Sequence, residues 1–121
     1  MRKEFCSSMV RRADKGNMAF LTGDLGFMAL EPLQEALGEN FINAGIAEQN
    51  MVSVAAAMCK TGLETWVYSI APFCYGRPFE QIRNDIALHA LPVKLVGNGG
   101  GYGYGVMGPT HHAIEDYGVL L

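Results

Sequence analysis

The chain contains 121 residues with a formal net charge of −3 at pH 7, and half of its residues are hydrophobic. One domain fits this length, and the negative charge argues against a general nucleic-acid surface, which needs clustered cations. No apolar run approaches the roughly 18 residues that span a membrane, and no signal-peptide core is present, so we expect a cytoplasmic protein. The hydrophobic content is high for a monomer, so we expect part of the surface to face another subunit.

Helical and strand-like patterns alternate along the chain. They predict helices over residues 3–14, 30–37 and 48–60, then one from 78 to about 90 and one from about 112. They predict strands over residues 17–22, 40–43, 64–70 and 92–96, with a turn at 23–26 and a glycine-rich loop at 97–108. Strands that alternate with helices form a parallel sheet with helices on both faces. We therefore expect a single α/β domain over residues 1–121.

The fourth predicted helix begins at Pro78, a residue that suits a first helical turn. Its apolar positions Phe79, Ile82, Ile86 and Ala90 recur at helical spacing, which predicts one buried face.

Cysteine usage points to free thiols. Cys6, Cys59 and Cys74 are odd in number and share no metal-binding or redox spacing. Each is best interpreted as a small buried hydrophobe in a reducing compartment. The adjacent His111 and His112 do not indicate a metal either, because neighbouring helical side chains diverge by about 100°. We expect no metal site in this chain.

The third predicted helix carries one carboxylate, Glu48, in the first turn of an otherwise apolar segment. Val52, Ala55, Ala56 and Met58 follow it at the spacing of a buried helical face, which places Glu48 where the core meets a site. An ordinary explanation also exists, since acidic side chains in first turns offset the helix dipole.

Several polar and aromatic residues follow predicted strands. The working groups of open parallel sheets gather at the carboxyl ends of the strands. We therefore expect Asp24, Glu48, Phe73 and the glycine-rich loop to converge. Arg77 is a candidate for binding a substrate phosphate, because a guanidinium offers a fork of donors to that anion.

Three blocks of the sequence resemble one enzyme family. They read Asn43-Ala-Gly-Ile-Ala-Glu48-Gln-Asn, Phe73-Cys-Tyr-Gly-Arg77-Pro-Phe-Glu-Gln-Ile-Arg-Asn and Gly108-Pro-Thr-His111-His-Ala-Ile-Glu-Asp. In this order and at this spacing they are similar to the pyrimidine-binding domain of transketolases and deoxyxylulose-phosphate synthases, which use thiamine diphosphate. The resemblance extends from about residue 23 to the end of the chain.

The resemblance implies roles for individual residues. Glu48 would hydrogen-bond N1′ of the coenzyme's aminopyrimidine and favour the imino tautomer, whose 4′ nitrogen accepts the proton from thiazolium C2. Phe73 would stack on the pyrimidine, and Ile46 and Asp24 would lie beside the coenzyme. His111 would face the substrate. Local pattern alone also allows core packing for Phe73, a turn role for Asp24 and helix capping for His111.

The sequence departs from the family at two places. Met107 stands where the family commonly has an aspartate that contacts a substrate hydroxyl, which leaves the sugar or ketol donor open. Gly23-Asp24-Leu25 lacks the third glycine of the family's Gly-Asp-Gly motif, and no Asn-rich partner follows it. We therefore expect a complementary subunit or domain to hold the diphosphate and Mg²⁺, in a homo- or hetero-oligomer that acts on sugar phosphates. The resemblance is to the C-terminal subunit of a split transketolase. Compared with that subunit, the chain is expected to be truncated and to lack the last elements of this domain and a following C-terminal domain.

Two other functions remain open. The loop Gly103-Tyr-Gly-Val-Met-Gly108 satisfies the dinucleotide pattern Gly-x-Gly-x-x-Gly, although Pro109 interrupts the turn into the next helix. The chain is alternatively a noncatalytic interaction module, a remnant half-site that stabilises a partner.

Overall fold

A computed structural model describes all 121 residues. Its centre is a four-stranded parallel sheet with the order β2-β1-β3-β4. The strands are β1 (Met18–Thr22), β2 (Phe41–Asn43), β3 (Glu64–Ile70) and β4 (Lys94–Asn98). The longer helices are α1 (Arg2–Ala13), α2 (Glu31–Leu37) and α3 (Glu48–Lys60). The shorter ones are α4 (Ala71–Tyr75), α5 (Phe79–Gln81) and α6 (Asp116–Leu120).

Helices cover both faces of the sheet, which confirms the predicted α/β class. Alternate strand residues face opposite sides. Leu21 and Val67 pack under α3, whereas Phe20 and Tyr68 pack under α1 and α2. All five residues of β1 are buried because this central strand is covered twice. None of the helices combines the length and the hydropathy that a membrane crossing requires.

Helix α3 matches its predicted bounds. Val52, Ala55 and Ala56 are buried as the pattern indicated, together with Met51. Met58 is only partly buried and packs at the rim of the same cluster.

The predicted helix from residue 78 differs from the observed one. α5 continues into a π-helical segment, Ile82–Ala87, in which Leu88 N donates to Arg83 O five residues back. The wider turn rotates later side chains away from the predicted face. Ile86 is buried, but Ala90, after the segment, is exposed with a φ of 50°. Phe79, which precedes the segment, is 42% exposed. Ile82 also packs against the core, so the predicted face is confirmed for Ile82 and Ile86 and wrong for Phe79 and Ala90.

The prediction of a last helix from about His112 is also wrong. Pro109–His111 forms one turn of 3₁₀-helix, and His112 is extended. Ala113 then exchanges two backbone hydrogen bonds with Gly101, at 2.9 and 3.1 Å. This bridge fixes the glycine-rich loop against the following segment, so a helix begins only at Asp116.

Candidate functional site

The strand order places a topological switch point between β1 and β3. The chain leaves β1 for β2 on one side, and α3 then crosses back over β1 to reach β3 on the other. Ligands of open α/β sheets bind outside the carboxyl ends of the strands at such a point. The first residues beyond these ends are Gly23 after β1 and Ala71 after β3.

Glu48 lies at this point with a side chain that is only 4% exposed. It is the first residue of α3, and no side chain caps that helix start. The carboxylate therefore lies beside unpaired backbone amides, where a negative charge is favoured. Glu48 Oε1 also accepts a hydrogen bond of 2.8 Å from Arg77 Nη1.

Arg77 joins Glu48 to Phe73. The guanidinium carbon of Arg77 lies 3.8 Å from the centroid of the Phe73 ring, so the cation rests on the aromatic face. The His111 ring approaches Phe73 edge-on, with 5.1 Å between centroids. Glu48, Arg77, Phe73 and His111 therefore form one continuous row, which we call the site row.

Two contacts hold His111 at the end of the site row. Its Nδ1 lies 2.9 Å from Thr110 Oγ1, and its ring centroid lies 5.6 Å from that of Tyr104. Tyr104 is in turn fixed by a 2.8 Å hydrogen bond from Asn98 Nδ2 to its hydroxyl. The sequence motifs gave no indication of Tyr104 or Asn98.

Asp24 follows Gly23 beyond the carboxyl end of β1 and is tied to β2. Asn43 Nδ2 donates to Asp24 Oδ1 at 2.9 Å, and Asp24 N donates to Asn43 Oδ1 at 3.1 Å. This pair supports the φ of 55° at Asp24, a conformation that Asp and Asn tolerate. Asn43 Oδ1 also accepts from Gly45 N at 3.0 Å, so it organises the turn that leads to Glu48.

An open cleft of about 500 Å³ borders Glu48. It is lined by Ile46, Ala47, Glu48, Gln49, Asn50 and Arg77. Ile46 is 77% exposed. Asp24 lies outside this cleft and lines a smaller neighbouring one, of about 230 Å³. The structure thus brings Ile46, Glu48 and Arg77 together in one cleft and places Asp24 in another.

Ser69 is a residue of the site that the sequence motifs missed. It is fully buried at the carboxyl end of β3, and its hydroxyl has no hydrogen-bond partner. A Cβ built on Gly23 would lie 3.3 Å from Ser69 Oγ and 3.6 Å from Glu48 Oε1. Gly23 therefore separates a hydroxyl from a carboxylate with no side chain between them. A serine one residue before the carboxyl end of the predicted strand 64–70 was the available signal.

Cys74 is buried behind the site. Burial raises the pKa of its thiol to about 12, and the negative charge of Glu48 adds to the shift. A protonated thiol is a poor nucleophile. The thiol therefore packs as a hydrophobe near neutral pH.

The glycine-rich loop does not have the geometry of a dinucleotide-binding turn. Such a turn passes directly into the N-terminus of a helix. Here Gly105–Met107 and Pro109–His111 are isolated 3₁₀ turns. His112 Nε2 lies 3.0 Å from Gly105 O, which fixes the loop on itself. The dinucleotide hypothesis is therefore not supported.

The fold and the site row define a class, an α/β domain that presents a buried acid and an aromatic ring at its switch point. The sequence pattern of the family described as "Transketolase, pyrimidine binding domain" matches residues 10–121. The chain therefore belongs to the transketolase pyrimidine-binding family, as the three sequence blocks predicted.

Individual relatives agree with this assignment. The chain is 35% identical, over 98% of its length, to a subunit of the apulose-4-phosphate transketolase of Phocaeicola vulgatus. It is 37% identical, over 75% of its length, to 1-deoxy-D-xylulose-5-phosphate synthase of Rhodopirellula baltica. A solved structure described as a split-gene transketolase in an inactive beta4 tetramer superposes with a TM-score of 0.82 and 32% identity, covering 98% of this chain and 38% of that one. The chain spans 39% of the Phocaeicola relative and 14% of the Rhodopirellula relative.

Proposed function

We propose that this chain supplies the pyrimidine-activating half of a thiamine-diphosphate site in a transketolase-type transferase. One observation carries the proposal. The buried carboxylate of Glu48 stands at the switch point of the sheet, one guanidinium away from the face of Phe73. An aminopyrimidine needs these two partners, a carboxyl group for its ring nitrogen and a flat apolar surface for its ring. When bound, thiamine diphosphate supplies the thiazolium carbon that forms the new carbon–carbon bond in ketol transfer.

The residues of the site fit the pyrimidine end of that coenzyme. Glu48 would hold a proton at ring nitrogen N1′, and its burial would keep water from competing for that proton. Phe73 would fix the plane of the ring, and Ile46 would cover its edge at the mouth of the cleft. The unpartnered hydroxyl of Ser69 would remain beside Glu48 as a further polar group within the site.

Arg77 and His111 are the proposed substrate contacts. A guanidinium matches the oxygens of a phosphate group, and an imidazole exchanges protons with sugar oxygens near neutral pH. Both side chains belong to the site row, and both contact the ring of Phe73. This arrangement supports a substrate that bears a phosphate at one end and a hydroxyl near the reacting carbon.

A complementary subunit or domain is proposed to hold the diphosphate and Mg²⁺. The departure of Gly23-Asp24-Leu25 from Gly-Asp-Gly supports this division of the site, and Asp24 is bound to Asn43 rather than free. The relatives described as a transketolase subunit and as a split-gene transketolase are consistent with it. In that assembly Asp24 would lie near the coenzyme at the contact between the two polypeptides.

A noncatalytic half-site is the second candidate. Met107 occupies the family's aspartate position and is 55% exposed on the glycine-rich loop, so one expected substrate contact is missing. The catalytic and noncatalytic proposals make opposite predictions for Glu48.

Substitution of Glu48 tests the proposal in the enzyme assembled with its native partner. Glu48→Gln preserves shape but cannot hold the exchangeable proton, so turnover should fall by about 10²–10⁴-fold, or roughly 3–5 kcal/mol of barrier. Hydrogen–deuterium exchange at C2 of the bound coenzyme, followed by NMR, should slow in parallel. Glu35→Gln, the same change on exposed α2, is the control. If the folded Glu48→Gln enzyme exchanges the C2 proton at the wild-type rate, the catalytic proposal is wrong and the noncatalytic half-site is the remaining candidate.

A further inference from the structure

Arg77 occupies the place that the proposed function gives to the aminopyrimidine. Its planar guanidinium lies on the ring of Phe73 and donates to the buried oxygen of Glu48. An aminopyrimidine carries the same planar nitrogen–carbon–nitrogen unit and would use the same ring face and the same carboxylate. The two groups therefore cannot occupy these positions at one time.

We propose that Arg77 is an internal placeholder, which fills the pyrimidine subsite of the free chain and is displaced when the coenzyme binds. This inference rests on the proposed function for the identity of the displacing ligand. The presence of a guanidinium-shaped subsite between Glu48 and Phe73 rests on the observed contacts alone.

Burial explains why the subsite needs an occupant. The side chain of Glu48 is 4% exposed, and an unpaired carboxylate at that depth is strongly destabilised. Arg77 neutralises it while remaining 43% exposed. Moving the guanidinium outward returns an already wet group to water, so its release costs about one charged hydrogen bond and little desolvation.

The backbone around Arg77 is anchored, so only the side chain needs to move. Gln49 Nε2 donates to Arg77 O at 3.2 Å, which ties this residue to the first turn of α3. Pro78 follows directly and restricts the chain on the other side. A displaced guanidinium would thus remain at the mouth of the same cleft. Arg77 would then be free to bind a substrate phosphate only after the coenzyme is in place, which imposes an order of binding.

The test uses the full chain, with guanidinium ion and thiamine as probes. Arg77→Ala empties the subsite and leaves Glu48 unpaired. Millimolar guanidinium should shift the Phe73 ring and Glu48 side-chain NMR signals of this variant and leave those of the wild type unchanged. Thiamine should bind Arg77→Ala about 10- to 100-fold more tightly than wild type, the range expected for one charged hydrogen bond. Guanidinium should weaken that binding competitively.

Arg83→Ala is the matched control, because it removes the same charge from an exposed position in the neighbouring π-helical segment. It should bind thiamine like the wild type. Equal thiamine affinity in wild type and Arg77→Ala, or no guanidinium-induced shift in Arg77→Ala, would overturn the placeholder. Guanidinium binding without thiamine binding in Arg77→Ala would establish the subsite and refute the aminopyrimidine as the group that displaces Arg77 from the free chain. Thermal unfolding of each variant shows whether it is folded, and Arg77→Met supplies a second apolar replacement if Arg77→Ala unfolds.

Discussion

Ser69 places a hydroxyl in the core beside the start of α3, and no group donates to it or accepts from it. Most buried polar groups in native proteins are hydrogen-bonded, so each exception needs a physical reason. Gly23 and Glu48 lie next to this hydroxyl, on the side of the sheet where the ligand is proposed to bind. The hydroxyl of Ser69 therefore does not stabilise the free chain, and we expect that ligand binding is the reason for its presence.

We predict opposite effects for two serine-to-alanine substitutions. Ser69→Ala removes an unsatisfied hydroxyl, so the free energy of unfolding of the free chain should rise by about 1 kcal/mol. Ser53→Ala removes a hydroxyl that donates to Asp85 Oδ2 at 2.5 Å, so the same quantity should fall by about 1 kcal/mol. Urea denaturation of both variants beside wild type measures the difference. A loss of stability in Ser69→Ala would show that its hydroxyl has a partner in solution.

At the scale of elements, the short helix α4 decides where Phe73 lies. Ala71 begins α4 directly after β3, and a Cβ built on Gly97 of β4 would lie 2.9 Å from both Ala71 Cα and Ala71 Cβ. The helix therefore rests against the backbone of the neighbouring strand. This close approach requires glycine for space, since the backbone of Gly97 does not have a positive φ.

Gly97→Ala should consequently disturb the site as well as the fold. The new methyl group has to push α4 away from β4, at a cost of about 1–3 kcal/mol in unfolding free energy, and Phe73 moves with the helix. Gly100→Ala is the matched control, because a Cβ there meets open space and no positive φ opposes it. Calorimetric unfolding should separate the two variants. Equal melting temperatures would mean that α4 yields to the methyl group without strain.

Local pattern predicted the long elements better than the short ones. Helix α3 has a regular apolar face that only one helical register can bury, so Glu48 could be placed at its start. The five residues of α4 are too few for periodicity, and Pro72 suggests a break although its position in the first turn is permitted. The π-helical segment inserts one extra residue into a turn of the helix, so the side chains that follow it in the helix point in other directions. The spacing of apolar residues does not reveal such an insertion.

The convergence of candidate residues at one edge of the sheet was predictable, but their contacts were not. Parallel topology brought Glu48, Phe73 and the loop of His111 to one edge, as expected from the strand ends. The pairing of Arg77 with Glu48 depends on the turn between α4 and α5, which tertiary packing sets. The hydrogen-bond partner of Asp24 is Asn43, whose side chain the sequence motifs did not single out.

At the scale of the whole molecule, the carboxyl edge of the sheet combines the site with exposed apolar side chains. Phe27, Ile46, Val106 and Met107 are each more than half exposed there. Exposed apolar residues at the same edge as a candidate site are typical of a surface that another polypeptide covers.

We predict that the chain associates through this carboxyl edge. Sedimentation velocity across a concentration series should show wild type shifting from monomer to larger species, because the exposed side chains lose contact with water on association. Val106 is fully exposed on the glycine-rich loop, so Val106→Glu should weaken association by at least about tenfold through burial of a charge. Leu88→Glu is the control, because Leu88 is also exposed, at 76%. Leu88 follows the π-helical segment, where the chain has returned toward the opposite edge of the sheet. This substitution should leave association unchanged. A wild-type chain that stays monomeric at all concentrations, or a Leu88→Glu chain that dissociates as readily as Val106→Glu, would place the contact surface elsewhere.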